Sequence, residues 1–431
     1  MSTLSPRVAL LALWLPLACE TRPASAPAPA APVLEQRSPP AASAAPLNYT
    51  PAPPPRPPHA AAPSVDTPRR SPVPPLPDPL PGQRRDVSAF LGDAVKVAGG
   101  DLDGDGKSEL VVATAAQLRV LDTAGREKAS VPTPGGAQLL SVVDLDGNRR
   151  GCILVGWGMD LAHRDAAARV SVYRLERGHL VEETVLTPPT TRAEITTLLH
   201  VGGSPPTLLI THYVDKYDTR SVYAARTVEG WKIQEIARIR MASAYARGDV
   251  DGDGKPDVVV GRPYGDDRTA DGDIFLLRPD GTRVPIPSLR GVRALTVADS
   301  DGDRLPEIFY ADGWHMDYGR VARGQLSWAR WDKGAFTREV IEDTPGQFTL
   351  FKVLAADVDG DGTPEIVTQG SAYARVFKRV GSQWKGLTVG EAGKDLAVAE
   401  LDGKPGVDVV IVAEKGPRSE IISLRGTEWP R

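Results

Sequence analysis

Acidic residues recur along the chain at a spacing that suits a bound cation. Asp101, Asp103 and Asp105 alternate with other residues, and Glu109 follows at the ninth position, directly before the apolar run 110–113. Carboxylates that converge from a tight loop suit a hard cation that takes about six to eight oxygen ligands, which indicates Ca²⁺ rather than Zn²⁺. The pattern is not an EF-hand, because its last acid lies at position nine and a strand follows it.

Four copies of this loop are complete. Their predicted calcium ligands are Asp101, Asp103, Asp105 and Glu109; Asp249, Asp251, Asp253 and Asp257; Asp299, Asp301, Asp303 and Glu307; and Asp357, Asp359, Asp361 and Glu365. Solvated Asp–Gly turns are the alternative interpretation of a single copy. Four copies at matching places favour cation sites, so the sequence predicts about four structural Ca²⁺ ions.

Two further copies are degenerate. The first keeps Asp144, Asp146 and Asn148 but has Cys152 at its ninth position, and it is expected to bind a cation weakly or not at all. The second, which begins at Glu400, has Lys404 where an acid is expected, so no binding is predicted there.

The loops recur with a period of about 50 residues, which is typical of one four-stranded blade of a β-propeller. Copies begin at 101, 144, 249, 299, 357 and 400, and an eroded copy without carboxylates spans 200–207 between two apolar strands. Each loop lies between two apolar runs, and no long stretch has helical spacing. The sequence therefore predicts an all-β, seven-bladed propeller over residues 83–431.

The two ends of this region complement each other. Residues 400–431 are long enough for about three strands, and Asp86–Leu91 has the pattern of a spare fourth strand. An N-terminal strand that completes the last blade would close the ring and remove an exposed sheet edge.

The Asp-x-Asp-Gly-Asp-Gly loops followed by apolar strands resemble the FG-GAP/VCBS repeat family, which includes the integrin α-subunit propeller. The Phe-Gly and Gly-Ala-Pro strings that give the family its name are absent, so the resemblance lies in the calcium-loop half of the motif. This resemblance implies a seven-bladed propeller with calcium on one face and adhesion or partner binding on the other.

The N-terminal region has the composition of an export signal and a spacer. Residues 1–19 hold an apolar stretch that ends at Ala18–Cys19, similar to the lipobox of bacterial lipoproteins, with Pro16 at a position where an aliphatic residue is usual. Residues 20–82 hold about half of the chain's 40 prolines and predict a disordered, extended linker. We expect an envelope protein that is lipid-anchored at Cys19; cleaved secretion and an uncleaved anchor are the alternatives.

The face opposite the Asp loops is the predicted ligand face. The connections between second and third strands lie there, and in blades 2 to 5 they are long and rich in aromatic, histidine and charged residues. The candidate ligand-binding residues are Trp157, Asp160, His212, Tyr213, Asp215, Tyr264, Asp266, Trp314, His315 and Asp317. The alternative is that the aromatic residues pack between blades while the acids are solvated.

A binding scaffold for a protein or glycan is the function that the sequence favours. The formal net charge of −4 gives no indication of a nucleic-acid partner. No nucleophile elbow, paired-acid motif or phosphate loop is present, so we predict that the protein is not an enzyme. A propeller-fold polysaccharide lyase or hydrolase is the alternative, and a structural component of the envelope is the third class. We expect the propeller to be monomeric.

Overall fold

Strand-forming segments and Gly-rich or Asp-rich turns alternate along nearly all of the chain that the structure describes. The structure is a computed structural model, and it describes residues 76–159, 163, 165–189, 194–214, 218–265, 272–278, 281–289, 291–313, 324–344, 350–413, 419–427 and 429. The predicted signal peptide, Cys19 and the linker up to residue 75 lie outside this range. No helix among the described residues is long and apolar enough to cross a membrane.

The described strands form seven four-stranded antiparallel sheets, as the sequence predicts. The chain begins with β1 (Gln83–Asp86) and the helical turn α1 (Ser88–Leu91). Blade 1 then contains β2 (Lys96–Gly100), β3 (Glu109–Ala113), β4 (Gln117–Leu121) and β5 (Glu127–Pro132). Blade 2 contains β6 (Gly136–Val143), β7 (Cys152–Gly158), β8 (Arg169–Glu176) and β9 (His179–Leu186). Blade 3 contains β10 (Ile195–Gly202), β11 (Thr207–Tyr213), β12 (Asp218–Thr227) and β13 (Gly230–Arg240).

The remaining blades repeat this meander. Blade 4 contains β14 (Ala244–Gly248), β15 (Asp257–Gly261), β16 (Ile274–Leu277) and β17 (Arg283–Ile286). Blade 5 contains β18 (Val292–Ala298), β19 (Glu307–Asp312), β20 (Gly324–Asp332) and β21 (Ala335–Thr344). Blade 6 contains β22 (Leu350–Ala356), β23 (Glu365–Gly370), β24 (Tyr373–Val380) and β25 (Gln383–Glu391). Blade 7 contains β26 (Gly393–Ala399), β27 (Asp408–Ala413) and β28 (Glu420–Ser423).

The N-terminal strand completes blade 7, which confirms the predicted ring closure. The order of that sheet is β1-β28-β27-β26, and β1 pairs antiparallel with β28 from Gln83 opposite Ser423 to Asp86 opposite Glu420. The boundaries of this strand differ from the prediction. Only Asp86 of the predicted segment Asp86–Leu91 is in the strand, because the next residues turn into α1 and bury Val87 and Leu91 on one side.

Apolar clusters lie between neighbouring blades all around the ring. For example, Val97 and Leu110 of blade 1 pack with Val410 and Val412 of blade 7. Separate clusters join blades 1 and 2, 2 and 3, 3 and 4, 4 and 5, 5 and 6, and 6 and 7. Each buried aliphatic side chain contributes roughly 1.5–3 kcal/mol, so the inter-blade clusters are the main source of stability.

The first strand of each blade is the innermost, and in several adjacent blades these strands contact one another directly. They surround the central axis of the propeller. Every Asp loop connects a first strand to a second strand, so these loops share one face. The beginnings of the first strands and the connections from second to third strands share the opposite face.

Candidate metal loops and ligand face

The first acid of each loop organises the backbone of the turn. In blade 1, Oδ1 of Asp101 accepts a hydrogen bond from the Gly104 N–H at 2.6 Å, and Oδ2 accepts one from the Gly106 N–H at 2.9 Å. Both glycines have φ near +80° (82° and 83°), a conformation that a side chain disfavours. The tight loop that the sequence predicts is thus present, and the two glycines permit its backbone conformation.

The ninth residue fixes the base of the loop. One carboxylate oxygen of Glu109 accepts the Leu102 N–H at 2.8 Å, while the Leu102 side chain is buried between blades. Asp257 and Glu365 hold the equivalent second-position amides in blades 4 and 6, at 3.1 Å and 2.8 Å. The second oxygen of each acid is not used in this contact; in Glu109 it lies 2.6 Å from Lys128 Nζ, and in Glu365 it lies 3.2 Å from Lys378 Nζ.

Carboxylates converge in all four complete loops, although each group holds three of the four acids predicted as ligands and leaves out Asp105, Asp253, Glu307 or Glu365. In each case three acids offer oxygens that lie within 4.8 Å of one another. The groups are Asp101, Asp103 and Glu109; Asp249, Asp251 and Asp257; Asp299, Asp301 and Asp303; and Asp357, Asp359 and Asp361. In blade 4, the buried Oδ1 of Asp249 has no hydrogen-bond partner. An orphaned carboxylate oxygen within an all-oxygen donor set fits Ca²⁺.

Burial and mutual repulsion disfavour ionised acids at the ninth position. Burial, reinforced by the charge of Asp251, raises the pKa of Asp257 to about 6. Burial, together with the nearby Asp359, raises the pKa of Glu365 to about 7. A divalent cation in the loop would offset this repulsion and favour the ionised forms.

Basic side chains from outer strands reach into the same loops. Lys128 Nζ lies 2.7 Å from Asp103 Oδ2 and 2.6 Å from Glu109 Oε1. In blade 6, Lys378 pairs with Asp359 and lies 2.7 Å from Asp361 Oδ2. A protein cation thus already neutralises part of the charge of these loops, which the sequence pattern alone does not reveal.

In blades 4 and 5, arginines neutralise part of the charge of the Asp loops. Arg278 of blade 4 pairs with Asp251 and lies 3.7 Å from Asp257. Arg379 belongs to β24 of blade 6, yet its guanidinium is 2.7 Å from Asp301 of blade 5. The Asp loops therefore also connect blades electrostatically.

The degenerate loops keep the turn but have fewer acids. In blade 2, Asp144 Oδ2 accepts the Arg149 N–H at 2.7 Å, and Arg149 adopts φ 66° where the complete copies of blades 1, 4 and 6 have glycine. Cys152 occupies the ninth position as a buried thiol whose pKa is raised by that burial. Asp146 is paired with Arg226 at 3.2 Å, and Asn148 accepts the Arg150 N–H at 2.8 Å.

In blade 7, a single guanidinium occupies the degenerate loop. Arg425 Nη1 lies 3.0 Å from both Asp402 and Asp408. Glu400 accepts the Gly403 N–H, and Lys404 is 3.3 Å from Asp402.

Four residues of the predicted ligand face are described. Trp157 is completely buried and packs edge-on against Tyr173, with ring centroids 6.3 Å apart, so its ring has no surface for stacking on a ligand. His212 is also buried, and its Nδ1 lies 3.2 Å from the Tyr213 carbonyl oxygen. Tyr213 is half-buried, and Tyr264 is 8% exposed.

The remaining predicted ligand residues lie outside the described residues. They are Asp160, Asp215, Asp266, Trp314, His315 and Asp317.

The structure has a set of β-bulges at the beginnings of the first strands that the sequence did not predict. One extra residue interrupts the register of five of these strands against their second strands, at Gln138, Thr196, Phe351, Lys394 and the pair 293–294. All five lie on the face opposite the Asp loops. Bulges re-aim side chains, and they occur often at barrel rims and beside functional sites.

Blades 4 and 5 match a known repeat family. Residues 249–310 match the family model described as FG-GAP-like repeat. The chain carries an FG-GAP-like repeat. The matched segment runs from the first acid of the blade 4 loop into β19, so it spans two of the complete Asp loops. This match confirms the family resemblance that the loops indicate, whereas no curated protein matches the chain.

The solved structures that resemble this one are only distantly similar to it in sequence. The crystal structure of BBS1N in complex with ARL6DN, soaked with lead, has a TM-score of 0.53 and 11% identity over 80% of this chain and 97% of that chain. The mercury-soaked form of that complex gives 0.53 and 12%, with the same coverage. A structure of the Dos1 propeller gives 0.46 and 11%, over 80% of this chain and 95% of that chain. The first two matches support the fold alone.

Proposed function

We propose that the FG-GAP-like propeller is an exported binding scaffold, in which Ca²⁺ stabilises one face and a protein or glycan partner binds the other. The observation that carries this proposal is that one face of the propeller repeats the same loop from blade to blade, whereas the other face differs between blades. Acidic loops of one design recur on one face, while the first strands carry differing bulged residues on the other. A repeated element serves the scaffold, and the element that varies from blade to blade is suited to recognition.

The metal part of the proposal assigns Ca²⁺ to the four complete loops. Asp249, Asp251 and Asp257 have the most favourable arrangement for a cation, because Asp249 Oδ1 is buried and has no hydrogen-bond partner. The ion would be structural: it would hold the second-position residue in the inter-blade core and the ninth-position acid at the base of the loop. We propose no catalytic role for it.

The proposed localisation rests on the N-terminal region of the chain. A lipobox-like sequence ending at Cys19 and a Pro-rich spacer of residues 20–82 would tether the propeller to a bacterial membrane and hold it away from the surface. Recognition by such a propeller has a parallel in the similar BBS1N structure, which is a complex with ARL6DN. We therefore place a protein partner before a glycan.

The metal part is tested by thermal unfolding of the full-length protein with CaCl₂ or with EGTA. EGTA should lower Tm by several degrees, since ions that bind only the native state stabilise it by mass action. The double variant Asp249→Asn/Asp251→Asn should show a smaller difference between the two conditions than the wild type. Identical melts of the wild-type protein in CaCl₂ and EGTA would contradict calcium binding.

The recognition part is tested by capture of envelope proteins and glycans on the immobilised full-length protein, followed by direct binding of each purified candidate. A supporting result is saturable binding that survives Asp357→Asn/Asp359→Asn, because that loop lies on the other face. Failure of every purified candidate to bind would reject the scaffold function even if calcium binds. Export is tested separately, by metabolic labelling with a fatty acid of the wild type and of Cys19→Ala.

A further inference from the structure

We infer that the guanidinium of Arg425 takes the place of the loop cation in blade 7, so that the blade which closes the ring is held by a positive charge of the chain itself. The inference goes beyond the proposed function, and it does not depend on calcium binding to the four complete loops. We call residues 400–408 the blade 7 loop and number their positions one to nine, as in the complete copies.

A basic side chain lies between the third and the ninth acid in each complete loop and in the blade 7 loop. The basic residues and the acids that they join are Lys128 with Asp103 and Glu109, Arg278 with Asp251 and Asp257, Arg379 with Asp301 and Glu307, Lys378 with Asp359 and Glu365, and Arg425 with Asp402 and Asp408. A protein cation at this place is therefore a regular feature of the Asp loops. Blade 7 differs from the others in how completely its loop binds that cation.

Arg425 contacts side-chain oxygens in the manner of a bound ion. Its Nη1 lies 3.0 Å from the nearest oxygen of both Asp402 and Asp408, the acids of positions three and nine. The same nitrogen donates a hydrogen bond to Ser423 Oγ at 2.8 Å. The Arg425 side chain is only 14% exposed, so these charge-assisted contacts are largely shielded from solvent.

The loop backbone supplies the other oxygens around Arg425. Nη2 donates hydrogen bonds to the carbonyl oxygens of Gly406 at 2.7 Å and Lys404 at 3.3 Å, and Nε donates one to the Pro405 carbonyl. Gly406 is position seven, the position whose backbone carbonyl binds the ion in the related spacing of EF-hand loops. Carboxylates, carbonyls and a hydroxyl thus give the guanidinium six oxygens, a set of the number and kind that Ca²⁺ takes.

The blade 7 loop does not fit a divalent ion beside Arg425. Position five is Lys404 instead of an acid, and the Lys404 ammonium lies 3.3 Å from Asp402. The remaining acids are Glu400, Asp402 and Asp408, and two of them already contact the guanidinium. The loop therefore has lost one negative charge and gained a second positive charge relative to the complete copies, which disfavours a further cation.

The position of this loop in the ring gives its internal cation a consequence for the whole propeller. The Ser108 N–H of blade 1 donates to the Glu400 carbonyl at 3.1 Å, and the Val407 N–H donates to the Asp357 carbonyl of blade 6 at 2.8 Å. Ser423, which Arg425 contacts, pairs with Gln83 of the closing strand β1. The loop that joins blades 6, 7 and 1 is thus organised without metal, so removal of calcium should leave the ring closed.

The first test compares Tm of full-length Arg425→Ser, Arg425→Lys and wild-type proteins in EGTA. We expect Arg425→Ser to lower Tm by several degrees, because two buried acids and three carbonyls lose their donor. Arg425→Lys should recover at least half of the loss, since a lysine has this place in blades 1 and 6. Arg240→Ser removes an exposed arginine at the end of β13 and is the control. A loss in Arg425→Ser no larger than in Arg240→Ser, or equal losses in the lysine and serine variants, would overturn the inference.

The second test asks whether the loop binds calcium once its internal cation is removed. Lys404→Asp/Arg425→Ser restores the acid of position five and vacates the six oxygens, so calorimetric titration with CaCl₂ should count one more bound ion per chain than in the wild type. Calcium should also raise Tm of this double variant more than that of the wild type. No additional ion would overturn the inference, whereas a wild type that binds no calcium would contradict only the proposed role of the complete loops. If Arg425→Ser does not fold, Arg425→Lys and the double variant in CaCl₂ decide the question.

Discussion

Lys128 shows how a single residue can modulate a candidate metal loop. Its ammonium group contacts Asp103 and Glu109, two of the three converging acids of blade 1. Burial alone would lower the Lys128 pKa, but the hydrogen bonds to these two acids outweigh that effect and raise it. Lys128 would therefore compete with the proposed Ca²⁺ ion for the same carboxylates, and its ion pairs hold this loop of blade 1 together without metal.

Lys128→Met is expected to make the protein depend more strongly on calcium. Without metal, Asp103 and Glu109 lose their counter-ion, so Tm in EGTA should fall. With metal, the loss of one competing positive charge should strengthen binding at this loop by about tenfold, roughly 1.4 kcal/mol. The readout is the difference in Tm between CaCl₂ and EGTA. Lys232→Met, on the outer strand of blade 3, is the control, and equal differences in both variants would contradict the competition.

A second residue-scale prediction concerns the pH dependence of stability. Burial lowers the pKa of His212, and nearby Arg220 adds to the effect, while the Tyr213 carbonyl and Glu235 oppose it. The native state therefore favours neutral His212, whereas the unfolded chain takes up a proton near pH 6.5. Because the unfolded state binds more protons in this window, His212 makes stability decrease as the pH falls from 7 to 5.

The His212→Gln variant should lose less stability over that interval than the wild-type protein does. Urea unfolding gives the free energy of unfolding of each protein at pH 7 and at pH 5. The acids contribute equally to the change with pH in the two proteins, so the difference between the two changes isolates the contribution of His212. His179→Gln changes an exposed histidine of β9 and should behave as the wild type does. A wild-type-like pH slope in His212→Gln would show that His212 does not titrate as argued.

At the scale of elements, the sequence predicted the strand on each side of every Asp loop because those loops give an unambiguous marker. The N-terminal strand was placed a few residues late for a physical reason. Val87 and Leu91 are compatible with a strand by alternation and with a helical turn by their i, i+4 spacing, and the core of blades 7 and 1 selects the turn. Local pattern cannot decide between the two when a segment is this short.

The positions of the bulges could not be predicted from the sequence, for a related reason. A bulge is a mismatch of one residue between two strands, so it depends on the register of both. Nothing in the residues around Phe351 or Lys394 marks them as the extra residue. Hence the positions of the acidic loops in the blades were predicted from the sequence, whereas the bulges emerge only from the folded sheets.

Removal of β1 should expose the edge of blade 7. Arg84 of β1 pairs with Glu420 of β28 and donates a hydrogen bond to the Val389 carbonyl of blade 6 at 2.7 Å. A chain that begins at residue 93 loses this strand, α1 and the buried Val87 and Leu91, and we expect it to aggregate through the unpaired β28 edge. A chain that begins at residue 76 keeps all of them and is the control. Size-exclusion chromatography and Tm decide; a monomeric 93–431 fragment with the Tm of the control would refute the closure argument.

At the scale of the whole molecule, a buried carboxylate connects the blades on both sides of the ring closure between blades 7 and 1. Asp395 of blade 7 is 3% exposed; it accepts the Val97 N–H of blade 1 at 2.9 Å and pairs with Lys352 of blade 6 at 2.7 Å. Lys352 also donates to the Leu396 carbonyl at 2.6 Å. One buried carboxylate thus joins three consecutive blades, including the two ends of the ring.

Asp395→Ala should therefore destabilise the entire propeller rather than one blade. It removes the acceptor of the buried Val97 amide and the carboxylate partner of Lys352, which keeps the Leu396 carbonyl, so we expect a loss of about 1–3 kcal/mol. Urea unfolding should show the loss in a single transition, because each blade packs on both neighbours. Lys352→Met/Asp395→Asn removes both charges and keeps an acceptor for Val97, so it should recover much of the loss. A separate early transition in Asp395→Ala, or an equal loss in the double variant, would show that the link acts only locally.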